Sequence, residues 1–167
     1  MSARVANVHA TCVQLARAGA PFRAPADTGV LILGRSGAGK SDLALRLIAA
    51  GAELVSDDRT VLYVRRGKLH ARSPKPIAGM MEIRGVGIVD IPYTEDVRVV
   101  LVAELTDGVA RMPSAAVYHP PRSLLLPRKT WPVLVRIVAH EASAPAKIAA
   151  AAAAISRGAV REIVKTQ

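Results

Sequence analysis

Apolar residues along the chain form short blocks separated by glycine, proline and charged residues. Val5 to Leu15 places Val, Cys, Val and Leu among polar residues and predicts a strand. Arg17 to Thr28, rich in Ala, Gly and Pro, reads as a loop. Gly29-Val30-Leu31-Ile32-Leu33 is a continuous apolar run of strand length, the pattern of a buried strand. Asp42 to Ala50 gathers good helix formers, and Gly51 stops the helix they predict. Glu53-Leu54-Val55-Ser56 predicts a further short strand. Thr60 to Arg65 and Leu69 to Arg72 flank Arg66-Gly67-Lys68, a hairpin pattern.

Ser73-Pro74-Lys75-Pro76 then forces an irregular connection. Met81 to Ile91 is strand-like but interrupted by Gly85 and Gly87, whereas Val97 to Leu105 is strongly apolar with β-branched residues and predicts a strand. Residues 107–127 read mostly as loop with short strands, and Val133 to Ala139 as a last strand. Ser143-Ala144-Pro145 opens a helix with a serine cap and a first-turn proline, and the Ala-rich stretch carries it to about Arg157, with Gly158 near its end. Strands outnumber helices, and no repeat or linker divides the chain. The expectation is an α/β fold with a strand-rich mixed sheet, one catalytic domain over residues 1–167.

Composition narrows the core. About half of the residues are apolar (51%), yet only one Phe, three Tyr and one Trp are present, so Val, Leu, Ile and Ala must fill the interior. Cys12 is the only cysteine, which excludes an intrachain disulfide and suggests a reducing, cytoplasmic setting. No apolar run reaches the roughly 18 residues of a membrane span, and Arg4, Asn7, His9, Gln14 and Arg17 do not suit a signal peptide. The formal charge of +10 is scattered, without a basic block or interleaved aromatics. It fits a nucleotide and an acidic protein partner better than nucleic acid.

The chemistry begins at Gly34-Arg35-Ser36-Gly37-Ala38-Gly39-Lys40-Ser41. This octet has the G-x-x-x-x-G-K-[ST] form of a phosphate loop (P-loop, Walker A), placed between a buried strand and a helix as the mechanism requires. The glycines let backbone N–H groups curl inward at phosphate oxygens, and the helix N-terminus adds partial positive charge. Lys40 is positioned for the β- and γ-phosphates of ATP and Ser41 for Mg²⁺. Asp57 and Asp58 close the strand after the first helix, where ligands bind in α/β sheets. One carboxylate suits the metal or its waters and the other a proton from an attacking hydroxyl. The plain alternative is a solvated Asp-Asp turn.

Three ordered segments carry a family resemblance: the loop through Asp42, then Leu54-Val55-Ser56-Asp57-Asp58-Arg59, then Met81-Glu82-Ile83-Arg84-Gly85-Val86-Gly87-Ile88-Val89-Asp90. Together they resemble the bacterial HPr kinase/phosphorylase family, over residues 5 to about 105 and on its C-terminal catalytic domain only, as in the short forms typical of alphaproteobacteria. The resemblance implies a PEP-carboxykinase-like fold and ATP-dependent, Mg²⁺-assisted phosphorylation of a seryl hydroxyl on HPr, the phosphocarrier of the sugar phosphotransferase system. It also implies a homo-oligomer, hexameric in the family; the short apolar runs and scattered charge lead to no membrane or nucleic-acid partner being expected. By the same resemblance Lys40, Asp57, His9 and Arg111 are catalytic, Asp57 being the base. Ser41 and Glu82 take the metal, with Asp58 beside them.

Arg35 and Asp42 stand where the family usually has acidic residues and Glu. Pro127-Arg128-Lys129-Thr130-Trp131 occupies the region of the Pro-Gly-Arg-Asn segment linked to dephosphorylation, so kinase activity is expected and phosphorolysis is left open. Two other functions are compatible with a phosphate loop. A small-molecule kinase of the nucleoside or shikimate type would carry an Arg-rich helical lid, but the region after residue 59 reads as strands. A non-catalytic ATP-sensing signalling protein would bind ATP without turnover.

Overall fold

The computed structural model describes residues 4–15, 22–114 and 116–158; part of the predicted loop from Arg17 lies outside these residues. Among the described residues ten strands and two α-helices follow in order: β1 (Val5–His9), β2 (Thr11–Gln14), β3 (Gly29–Leu33), α1 (Lys40–Ala49), β4 (Glu53–Ser56), β5 (Arg59–Arg65), β6 (Lys68–Arg72), β7 (Met80–Ile83), β8 (Gly87–Asp90), β9 (Val97–Leu105), β10 (Val133–Ile137) and α2 (Ala144–Ser156). The fold is mixed α/β, as expected.

An eight-stranded sheet runs β1-β5-β6-β9-β3-β2-β4, with β10 added to β9. β3, β9 and β10 are parallel, while β2 runs antiparallel to both β3 and β4. The continuous apolar run of β3 reflects burial on both faces. Val30 and Ile32 join Leu43, Ala44 and Leu47 of α1 and Ala144, Ile148 and Ala152 of α2. Leu31 points to the other face, against Cys12, Val102, Leu124 and Leu126. The sheet curls, so that Leu62 of β5 and Leu69 of β6 close over this second cluster. Each fully buried Leu or Ile contributes roughly 1.5–3 kcal/mol from apolar burial. Cys12 is fully buried and its thiol is pushed up by desolvation, so it serves as a small hydrophobe.

The structure divides two segments that read as single strands. Residues 5–15 form β1 and β2, broken at Ala10. There the Ala10 N–H donates to the Asp58 carbonyl (3.2 Å), and its own carbonyl accepts from Thr60 Oγ1 (2.9 Å). Ala10 is thus pinned to the turn between β4 and β5, and the chain changes partners, β1 pairing with β5 and β2 with β3 and β4. Residues 81–91 form the antiparallel hairpin β7-β8, separate from the large sheet. Its turn uses Gly85 (φ 83°) and Gly87 (φ 122°), left-handed conformations that glycine adopts without a Cβ penalty. The predicted hairpin at Arg66-Gly67 is present as β5-β6, both turn residues having positive φ. Ser143 does stand at the N-cap of α2, but its hydroxyl makes no capping bond. Among the described residues, no helix is long and apolar enough to cross a membrane.

Candidate active site

The octet Gly34–Ser41 leaves the C-terminal end of β3 and runs directly into α1. Gly37 (φ 78°) and Gly39 (φ 96°) make the curl. A Cβ on Gly37 would meet nothing within 4 Å, so glycine is required there by backbone conformation rather than space. The Ala38 N–H donates to the Arg35 carbonyl (3.1 Å) and tightens the loop. Arg35 itself is exposed and 3.9 Å from Asp107. Lys40 is only 6% exposed, and its Nζ donates to the carbonyls of Gly34 (2.9 Å) and Arg35 (3.1 Å). Desolvation lowers the pKa of this ammonium, while Asp58 and Asp57 oppose the shift. The two carboxylates therefore offset part of the cost of burying this cation.

The adjacent aspartates have different surroundings. Asp57 is buried, and its carboxylate receives donors from three elements. Oδ1 accepts from Ser41 Oγ of α1 (2.7 Å) and Thr11 Oγ1 of β2 (2.9 Å), and Oδ2 accepts from the Glu82 N–H of β7 (3.3 Å). The chain then turns within three residues: the Arg59 N–H donates to the Asp57 carbonyl (2.7 Å) across Asp58, whose φ is 61°. This tight turn sends the Asp58 side chain away from its neighbour, where His9 Nε2 lies 2.9 Å from Asp58 Oδ1. Asp58 is 67% exposed and His9 41%.

A pocket of 590 Å³ opens beside these groups, within the range of small-molecule sites. Ser36, Gly37, Gly39, Lys40 and Ser41 line it from the loop, His9 and Asp58 from the β1 end, and Glu82 and Arg84 from β7 and its turn. Asp57 is not among the lining residues; it stands behind them and ties Ser41, Thr11 and β7 together. Arg111 is also outside the lining, on an exposed segment after β9. A second hollow of 380 Å³, between His119, Pro121, Leu126 and Trp131, shares no residue with the first.

Two contributors are not evident in the sequence reading. Thr11 is one of several hydroxyl residues in a strand, and nothing local marks it as a partner of Asp57. His140 lines the pocket from the turn between β10 and α2, about a hundred residues from the loop it faces. No local motif announces it.

The site has the chemistry of a polyphosphate cradle: a helix N-terminus, a buried lysine and left-handed glycines, with carboxylates beside them. Its oxygens also fit Mg²⁺, a hard cation that takes carboxylate, hydroxyl and phosphate oxygens. Among the described residues no three His, Cys, Asp or Glu side chains form a ligand cage. Ser41 and a carboxylate would therefore hold such a metal together with phosphate and water oxygens.

The mixed α/β fold is shared with a solved protein. The structure of the Hpr(Ser) kinase/phosphatase from Coxiella burnetii superimposes with a TM-score of 0.65 at 21% identity, covering 86% of this chain and 91% of that one. The likeness establishes the mixed α/β fold. At the sequence level, a family model described as the HPr Serine kinase C-terminal domain matches residues 21–101. The HPr kinase/phosphorylase of Clostridium tetani is 50% identical over 64 residues, 38% of this chain and 21% of that protein. That of Clostridium beijerinckii is 51% identical over 63 residues, with the same coverage. The matched stretch thus spans about a fifth of the length of these relatives. The resemblance to the HPr kinase/phosphorylase family is therefore shown.

Proposed function

We propose that this chain is an ATP-dependent protein-serine kinase whose acceptor is HPr or an HPr-like phosphocarrier. The observation that carries the reading is the His9–Asp58 pair, 2.9 Å apart, lining the same pocket as Lys40 and Ser41. A carboxylate oriented by an imidazole beside a polyphosphate cradle is what transfer to a hydroxyl needs. The names of the relatives support phosphorylation of HPr in particular.

In this mechanism the glycine loop and Lys40 hold the triphosphate and offset the charge that develops on the transferring phosphoryl group. Asp58 accepts the proton of the incoming serine hydroxyl as its oxygen bonds to the γ-phosphorus. The bond from that phosphorus to the β,γ-bridging oxygen breaks, and ADP leaves. His9 keeps the Asp58 carboxylate aimed. Asp57 positions Ser41, so the two aspartates take the reverse of the roles that the resemblance implies. Mg²⁺, taken by Ser41 and Glu82, supplies charge neutralisation at the phosphates when bound.

Incubation of the protein with γ-labelled ATP and purified HPr tests the reading. Label should appear on an HPr serine with the wild-type protein and vanish with Lys40→Ala. ATP binding without any labelled HPr would instead favour a nucleotide sensor, and label on a small metabolite alone would favour a small-molecule kinase.

A further inference from the structure

Thr11 is fully buried, and the proposed chemistry gives it no task. We propose that Thr11 is a positioning residue of the phosphate loop: by fixing the Asp57 carboxylate it keeps the Ser41 hydroxyl oriented as an acceptor for Mg²⁺. This deepens the nucleotide reading above and rests on it.

Strand direction places the residue. β2 lies between β3 and β4 and runs antiparallel to both. Its first residue therefore stands at the C-terminal ends of its neighbours, where ligands bind in α/β sheets. Thr11 pairs with Ile32 of β3, just before the glycine loop opens, and Cys12 pairs with Ser56, the residue before Asp57. The preceding residue, Ala10, is itself held by the Asp58 carbonyl and Thr60 Oγ1. Backbone pairing thus delivers the Thr11 side chain to Asp57.

Hydrogen bonds then fix the carboxylate. Thr11 Oγ1 donates to Asp57 Oδ1 (2.9 Å), the same oxygen that accepts from Ser41 Oγ (2.7 Å). The other oxygen accepts from the Glu82 N–H over a longer distance (3.3 Å). The terminal torsion of an aspartate is intrinsically broad, so these donors rather than a rotamer well set its direction. Without Thr11, only Ser41 itself and the longer contact would restrain the group.

The consequence falls on Ser41. A serine hydroxyl has one proton and two acceptor lone pairs. Its proton is committed to Asp57, and Ser41 lines the pocket, so what it offers there is acceptor capacity alone. Lone pairs repel phosphate oxygens and suit a hard cation. A carboxylate free to turn would release the Ser41 proton towards a phosphate oxygen, and the metal would lose a ligand. Thr11 makes no use of its hydroxyl other than this bond among the described hydrogen bonds.

Calorimetric titration with ADP, which avoids turnover, tests this across a series of free Mg²⁺ concentrations and in EDTA. Thr11→Val keeps the shape of threonine and removes the donor. It should raise the Mg²⁺ concentration for half-maximal enhancement of ADP binding by about tenfold and leave affinity in EDTA within about twofold, as expected for a partner that orients a metal ligand. Thr11→Ser should restore the wild-type midpoint. In a Ser41→Ala background Thr11→Val should move the midpoint no further, because its effect passes through Ser41. Should Thr11→Val fail to melt cooperatively, Thr11→Ala replaces it with the same expectation. An unchanged midpoint, equal losses with and without Mg²⁺, or no rescue by Thr11→Ser would refute the positioning role while the nucleotide site stands. The role is refuted equally if Mg²⁺ does not enhance ADP binding to the wild type. If the wild type binds ADP under neither condition, the nucleotide reading falls, and this inference with it.

Discussion

Replacing each of the adjacent aspartates by asparagine should separate stability from chemistry. Asp57 is 5% exposed and accepts from Ser41, Thr11 and the Glu82 N–H. An asparagine has the same shape but only one acceptor oxygen. If that oxygen faces Ser41 and Thr11, the amide NH₂ confronts the Glu82 N–H. If the amide flips, both hydroxyls must reverse. One buried polar group is left unsatisfied either way, at a cost of roughly 1–3 kcal/mol. For a chain of this size that lowers the melting temperature by roughly 2–12 °C.

Asp58 is 67% exposed and sits at φ 61°, a conformation that asparagine also tolerates. Asp58→Asn should therefore stay within about 0.5 kcal/mol of wild type, yet slow phosphoryl transfer to HPr by roughly 10²–10⁴-fold as the proton acceptor is lost. Thermal denaturation followed by circular dichroism, and initial rates of HPr labelling, read the two quantities independently. Full transfer by Asp58→Asn, or an Asp57→Asn variant that melts with the wild type, would refute the division of roles.

Two further outcomes follow from the fold. His70 on β6 is buried, with Nδ1 3.0 Å from Asp96 Oδ1; desolvation, then Arg65 and Arg98, lower its pKa against the opposing pull of Asp27. The folded state thus favours the neutral ring. Its stabilisation is present above the unfolded pKa of about 6.5 and is lost as pH falls towards the lower folded value; His70→Gln should flatten the stability profile between about pH 7 and 5, and an unchanged slope in denaturant titrations would disprove this. Gly29 opens β3 where a Cβ would lie 2.5 Å from the Arg98 carbonyl and 2.6 Å from Val97 Cγ1. Gly29→Ala must push β9 away, and urea unfolding should show a loss of roughly 1–3 kcal/mol; an unaltered midpoint would count against the close strand approach.

Much of the fold was legible because its signals are local. The β3 run, the glycines of the octet and the helix formers after Ser41 each specify their own conformation, and their order places the cradle at a strand end. The β5-β6 hairpin follows likewise from Arg66-Gly67. The break at Ala10 was hidden, because it depends on hydrogen bonds to Asp58 and Thr60, nearly fifty residues away. The separate β7-β8 hairpin was hidden too, since an interrupted strand and a tight hairpin share the same glycine spacing.

The sequence by itself determined that a glycine-rich loop of the G-x-x-x-x-G-K-[ST] pattern, a pair of carboxylates and a Glu82–Arg84 segment exist in this order, because each is written in contiguous residues. Only the tertiary structure decided how they are arranged in space. A three-residue turn, held by Ala10, buries Asp57 against Ser41 and sends Asp58 to His9. Parallel pairing of β3, β9 and β10 brings His140 to Gly39. Those relations arise from strands meeting across the sheet, and no local pattern of side chains encodes them.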